Sequence, residues 1–188
     1  MWWRGGGATP WQFSGWFSRF SDYIYLRPTG ASDDGLPVYA YGQGDAQLYG
    51  FEAEVARSLW QRDGADLQLR LLGDLVRGEL RGGGNLPQMP PDRIGAELSW
   101  NEMPWRLALS AYRYARQDRV AENELPTDGY TLLGLELGSE MELSQGKLSW
   151  FIKGSNLGDV VARRHTSPLK EIAALPGQSV SAGVRWRL

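Results

Sequence analysis

Apolar and polar residues alternate along eight segments of this chain, at about 11–26, 38–60, 67–76, 93–100, 105–112, 133–141, 148–153 and 180–188. The last segment shows the pattern most clearly. Val180, Ala182, Val184, Trp186 and Leu188 fall on one side, and Ser181, Gly183, Arg185 and Arg187 on the other. Successive residues of a strand point to opposite faces, so each segment has one apolar and one polar face. Leu67, Leu69 and Leu71, like Leu133, Leu135 and Leu137, would scatter around a helix but line up on a strand. The pattern predicts an all-β chain, with residues 1–10 an irregular tail and 11–188 a single sheet-forming unit.

The connections alternate in length. Polar, Gly- and Pro-rich stretches at 27–37, 82–91, 117–128 and 163–177 are long, whereas Arg62–Ala65, Asn101–Pro104 and Ser144–Lys147 are short. Hairpin-paired neighbours would then place every long loop at one end. Trp60, Trp100, Trp105, Trp150 and Trp186 all fall near the opposite end. A water-soluble sheet gives no reason for that clustering, whereas an interfacial aromatic girdle does. The expected fold is an antiparallel up-and-down transmembrane β-barrel, apolar face toward lipid and polar face inward.

Composition narrows the chemistry. The 188 residues carry a net charge of −2, which gives no footprint for nucleic acid. Cysteine is absent, which removes disulfides and thiolate chemistry. No apolar run approaches the roughly 20 residues of a membrane helix, a test that strands with apolar residues at alternate positions escape. The first residues, Met1 to Gly7, lack the apolar core of an export signal. A membrane barrel needs export, so Met1 is not expected to be the natural start.

The polar face is the first candidate site. Glu52, Glu54, Arg70, Asp74, Glu97, Arg106, Glu136, Glu140, Lys153, Arg185 and Arg187 share it. Their mixed signs suit cross-strand ion pairs and a barrel lining rather than a single-sign filter. Glu52 and Glu54 resemble a carboxylate pair for acid–base work, but nothing places them in a closed pocket. His165, the single histidine, is the candidate metal or ligand contact, with Asp33, Asp34 or Glu122 as partners if the loops converge. The competing reading is a loop histidine held by hydrogen bonds. Asp159, after Asn156-Leu157-Gly158, reads as a turn residue. Gly42-x-Gly44 and Gly82–Gly84 precede no GK[ST] and no helix, and no nucleophile elbow is present. No catalytic residue and no cofactor is expected.

The stretch GSNLGDVVARRHTSPLKEIAALPGQSVSAGVRWRL (154–188) resembles the C-terminal end of TonB-dependent outer-membrane receptors. It combines an N-L-x-D element, an H-x-S-x-L-K loop, an L-P-G-Q turn and a closing amphipathic strand. FSRFSDYIYL (17–26), DAQLYGFEAE (45–54), NLPQMPPDRIGAEL (85–98) and DRVAENELPTDGYTLL (118–133) agree with it. The 165–177 loop looks closest to the zinc- and haem-uptake branch. The resemblance implies a barrel of about 22 strands around a plug, in the outer membrane of a Gram-negative cell. It implies active uptake of a metal, a metal chelate such as a siderophore, or haem, with outer-membrane lipid, the remaining barrel, the plug and the TonB complex as partners. This chain would be the last third of such a barrel, without plug or TonB box. Leu188 stands where the family usually has an aromatic residue. Val184, Trp186 and Leu188 are expected to form the signal read by the barrel-assembly machinery. The alternative is a free-standing eight-stranded outer-membrane barrel with a structural or adhesive role.

Overall fold

The computed structural model describes residues 2–5 and 9–188. Nine strands form one antiparallel sheet: β1 (Trp2–Gly5), β2 (Trp11–Asp33), β3 (Leu36–Arg62), β4 (Ala65–Leu80), β5 (Arg93–Glu102), β6 (Trp105–Tyr114), β7 (Tyr130–Leu143), β8 (Gly146–Ser155) and β9 (Ser179–Arg187). Each strand pairs with its neighbours in sequence, giving the order β1 to β9 without a crossover. The architecture is all-β and up-and-down, as the alternation predicts.

Two expectations need correcting. The stretch 1–10 is not wholly irregular, because Trp2–Gly5 pairs with Trp11–Ser14 and adds a ninth strand. The polar stretch 27–37 is not a loop either. β2 and β3 continue through it to the two-residue turn Asp34–Gly35, where φ is 47° and 82°. Positive φ at both central positions makes the turn whose twist matches paired strands, and Asp-Gly is its favoured sequence. Asp63–Gly64 repeats it at the other end of β3, with φ of 51° and 87°. Leu36 to Asp45 thus project past the last β3–β4 pair, Ala46 with Leu80, by about 30 Å.

Register separates the faces. Leu67, Trp100, Leu107, Leu137, Ile152 and Ala182 form one apolar row across β4 to β9. Those side chains do not cover a core. Leu109 is 47 % exposed, Ile152 46 % and Val184 77 %, and only Ala46, Ala65, Leu86, Tyr130 and Ala162 are buried apolar residues among those described. A water-soluble sheet would hide this face against a second layer. Packing is concentrated instead among the long connections, where Leu86, Ala162, His165 and Lys170 are buried.

The five predicted girdle tryptophans lie on the apolar face beside the short turns. Trp100 pairs with Leu67 and Leu107, and Trp150 with Ser139 and Val184. Trp105 packs edge-on against Trp150 with ring centres 5.9 Å apart. The Trp186 indole donates to the Gln145 carbonyl at 3.2 Å. Trp60 reaches this face through a bulge that pairs it, rather than Leu59, with Leu67.

Candidate functional site

All eleven charged residues predicted for the polar face lie on one side of the sheet by strand register. They divide into two groups. On β3 to β6, Arg70 bridges Glu54 at 2.8 Å and Glu97 at 2.9 Å, and the Tyr112 hydroxyl donates to Glu97. Arg93 pairs with Asp74 at 2.9 Å. Gly95 makes this network possible: a Cβ there would lie 2.5 Å from the Tyr112 ring, so the ring rests directly on the glycine backbone. On β6 to β9, Arg106, Glu136, Lys153, Arg185 and Arg187 face the same side without sharing that network, and Glu140 instead meets Lys147.

The long connections fold into a cap. Asn156 starts it: its side-chain amide donates to the Val160 and Pro176 carbonyls at 2.9 and 3.1 Å, and its carbonyl oxygen accepts from Val160 N. Asp159 accepts from Gln178 N at 2.9 Å. The N-L-G-D element therefore clasps both ends of the β8–β9 connection. Asn156 and Asp159 both take the left-handed conformation that Asn and Asp tolerate best, with φ of 49° and 47°.

Glu124 lies at the centre of the cap. One oxygen accepts from Lys170 Nζ at 2.7 Å, His165 Nε2 at 3.0 Å and Gln88 N at 3.0 Å, and the other from Ala121 N at 3.0 Å. The three long connections 81–92, 115–129 and 156–178 thus meet on one carboxylate. Burial opposes its ionisation, but the donors from His165, Lys170, Ala121 and Gln88 outweigh burial and hold its pKa at about 2. Gln117 adds a second tie, donating to the Met89 and Pro90 carbonyls at 3.0 and 2.9 Å.

Of the two readings of His165, metal or ligand contact and loop histidine held by hydrogen bonds, this arrangement fits the second. The ring is 1 % exposed, with Nδ1 2.9 Å from the Thr127 hydroxyl and Nε2 3.0 Å from Glu124. Both nitrogens are engaged, and the neighbouring cation Lys170 disfavours a metal ion. Asp33, Asp34 and Glu122 do not join it. Among the described residues no group of three or more His, Cys, Asp or Glu side chains is placed to hold a metal. Sequence reasoning missed Glu124, Lys170, Thr127 and Gln117. The spacing of His165 and Lys170 in H-x-S-x-L-K was a signal; Glu124, far away in sequence, had none.

Between the cap and the projecting β2–β3 hairpin lies a cleft of about 710 Å³. Tyr23, Tyr25, Tyr39 and Tyr41 line it from the hairpin, and Gln88, Glu122, Lys170 and Glu171 from the cap. The Tyr39 hydroxyl reaches the Asn123 carbonyl at 3.5 Å, so the hairpin touches the cap. Its volume falls in the range of small-molecule sites.

Comparison with solved structures places the fold. The chain superposes on a structure titled "Copper transporter OprC" with a TM-score of 0.80 over 96 % of its own length, at 17 % identity. It covers 30 % of that chain, and so spans less than a third of it. Residues 2–157 match the family described as "TonB dependent receptor-like, beta-barrel". With an up-and-down sheet, an exposed apolar face and a long-loop cap, the chain belongs to the TonB-dependent receptor family, within its β-barrel domain.

Proposed function

We propose that this chain forms part of the wall and outer loops of an outer-membrane receptor for active uptake of a metal, a metal chelate or haem. The observation that carries the reading is the division of the sheet. Its apolar face stays exposed across β2 to β9, its charged face lies opposite, and the capped cleft stands at the long-loop end. The apolar face meets lipid of a Gram-negative outer membrane, with Trp60, Trp100, Trp105, Trp150 and Trp186 at the periplasmic interface. The eleven charged residues line the interior toward a plug domain. The cleft faces outward and receives the ligand, and energy from the TonB complex remodels the plug. The closing strand, with Val184, Trp186 and Leu188 on its apolar side, is the segment read by the barrel-assembly machinery.

The fold likeness to a protein named as a copper transporter supports metal among the ligand classes. A free-standing eight-stranded barrel fits less well. Its end strands must pair, whereas β2 here is bonded to β1 and β9 stands at the far end of the sheet order. Uptake of radiolabelled iron chelates, zinc, copper and haem by cells producing the protein, against a deletion strain, tests the proposal. Saturable uptake of one of these that an uncoupler abolishes is the expected result. Uptake identical to the deletion strain for every ligand overturns it.

A further inference from the structure

β3 runs past the end of β4, so part of one edge has no neighbour. Ala56 N–H donates to Pro10 O on the β2 side, and Arg81 N–H donates to Asp45 O on the β4 side. Backbone groups alternate along a strand, so even-numbered residues of β3 bond toward β2 and odd-numbered ones toward β4. The extra residues of the β2–β3 ladder lie in β2, between Phe20 and Tyr23 and between Pro28 and Ser32, so the alternation in β3 holds to Pro37. Asp45 with Arg81 is the last rung on the β4 side. Beyond it, Tyr39, Tyr41 and Gln43 turn N–H and C=O to an empty lane. No backbone partner reaches those groups among the described residues, and all three residues are exposed. The neighbour that would fill the lane is β4 itself, which ends at Leu80. Edge strands are usually blunted by charge, proline or a bulge. Leu36 to Gly44 reads LPVYAYGQG: it carries no charged residue, and its proline stands at the tip of the hairpin. The free edge is thus about 20 Å of unprotected pairing template.

We propose that this edge is a strand-addition site for a linear peptide of about seven residues, which continues the line of β4 antiparallel to β3. Donors and acceptors that repeat at every second residue match another extended backbone, and no compact chelate reproduces that spacing. Pro37, Tyr39 and Tyr41 also line the cleft of about 710 Å³ beside the cap, so the lane opens onto space. A second copy of the chain fits less well, because the edge faces its own cap across that cleft. The inference goes beyond the uptake reading: the recognised group is a polypeptide main chain, and the site stands on the hairpin geometry alone.

The test uses the protein as expressed from its own gene, purified in detergent. The probe is a capped, fluorescein-labelled heptapeptide of alternating threonine and tyrosine. Two further versions carry N-methyl groups, one on the odd and one on the even residues. Their side chains are identical, and an added strand pairs through one edge only. Fluorescence anisotropy should show saturable binding of the parent peptide. One methylated version should lose affinity by about tenfold or more, and the other should keep it. Bound peptide should slow amide exchange at Tyr39, Tyr41 and Gln43 and leave Gly42, already bonded toward β2, unchanged. Tyr41→Pro removes an edge N–H without touching the β2 ladder and should weaken binding by about tenfold. Circular dichroism and heat-modifiable gel mobility show whether that variant folds; if it does not, the methylated pair on the unaltered protein decides the matter. No binding of the parent peptide, or an equal effect of methylation in both registers, overturns the inference. Strand addition in a protein that takes up none of the ligands above would overturn the transport reading alone. Uptake without strand addition would overturn this one alone.

Discussion

The Lys170 ammonium donates to the Glu124 carboxylate at 2.7 Å, joining two connections across 46 residues of sequence. Both side chains are at most 10 % exposed. An ion pair this deep is strongly destabilised when one partner is removed, because the other keeps its charge without compensation.

Lys170→Met should therefore loosen the cap by about 3–5 kcal/mol. Amide exchange over 117–128 and 163–177 would measure it, with protection lost there and kept in β4 to β8. Unchanged protection in both loops would contradict the central place given to Glu124.

The same carboxylate sets a pH dependence. Its pKa falls from 4.5 to about 2 in the folded cap. A depressed carboxylate contributes stability that is fully present above its unfolded value and is lost as pH falls through its folded value. Loop protection should be flat from neutral pH to about 5 and decline between about 4.5 and 2. Glu124→Gln should remove that step, and a wild-type profile flat to pH 2 would contradict it.

Thr127→Val removes the hydroxyl 2.9 Å from His165 Nδ1 and leaves that buried nitrogen only the longer contact with Lys170 Nζ, at 3.4 Å. The expected cost is about 1–3 kcal/mol of cap stability. It would be read by the same exchange measurement, with Tyr130 and its strand unaffected.

Gly95→Ala places a Cβ where the Tyr112 ring now lies and should push Tyr112 away from Glu97. Thermal unfolding followed by heat-modifiable mobility should fall by several degrees, and Gly95→Ala/Tyr112→Phe should lose little more than the single change. Additive losses would show that ring and glycine are independent.

The sheet was legible because its signal is local. Leu133, Leu135 and Leu137 share a face whatever the rest of the chain does, and the Trp100 and Trp150 positions follow from turn spacing. The Asp34–Gly35 hairpin is hidden in the sequence because its flanks are rich in Gly, Pro and Asp, a composition that strand ends and loops share. Trp2–Gly5 was missed because four residues are too short to show alternation. The cap was invisible for a different reason. Glu124, His165 and Gln88 come from three connections, and no periodicity relates residues that only a finished set of hairpins brings together.

The central claim is that Leu135 faces lipid while its neighbour Glu136 faces the barrel interior. The chain contains no cysteine, so single cysteines introduced along Leu133–Leu137 give clean spin-labelling sites. Collisional relaxation in outer-membrane vesicles, with oxygen as the lipid-soluble agent and a nickel chelate as the water-soluble one, reads the environment of each label. Oxygen accessibility should be high at 133, 135 and 137 and low at 134 and 136. Equal accessibility of adjacent positions, or access of the nickel chelate to the leucine face, would contradict it.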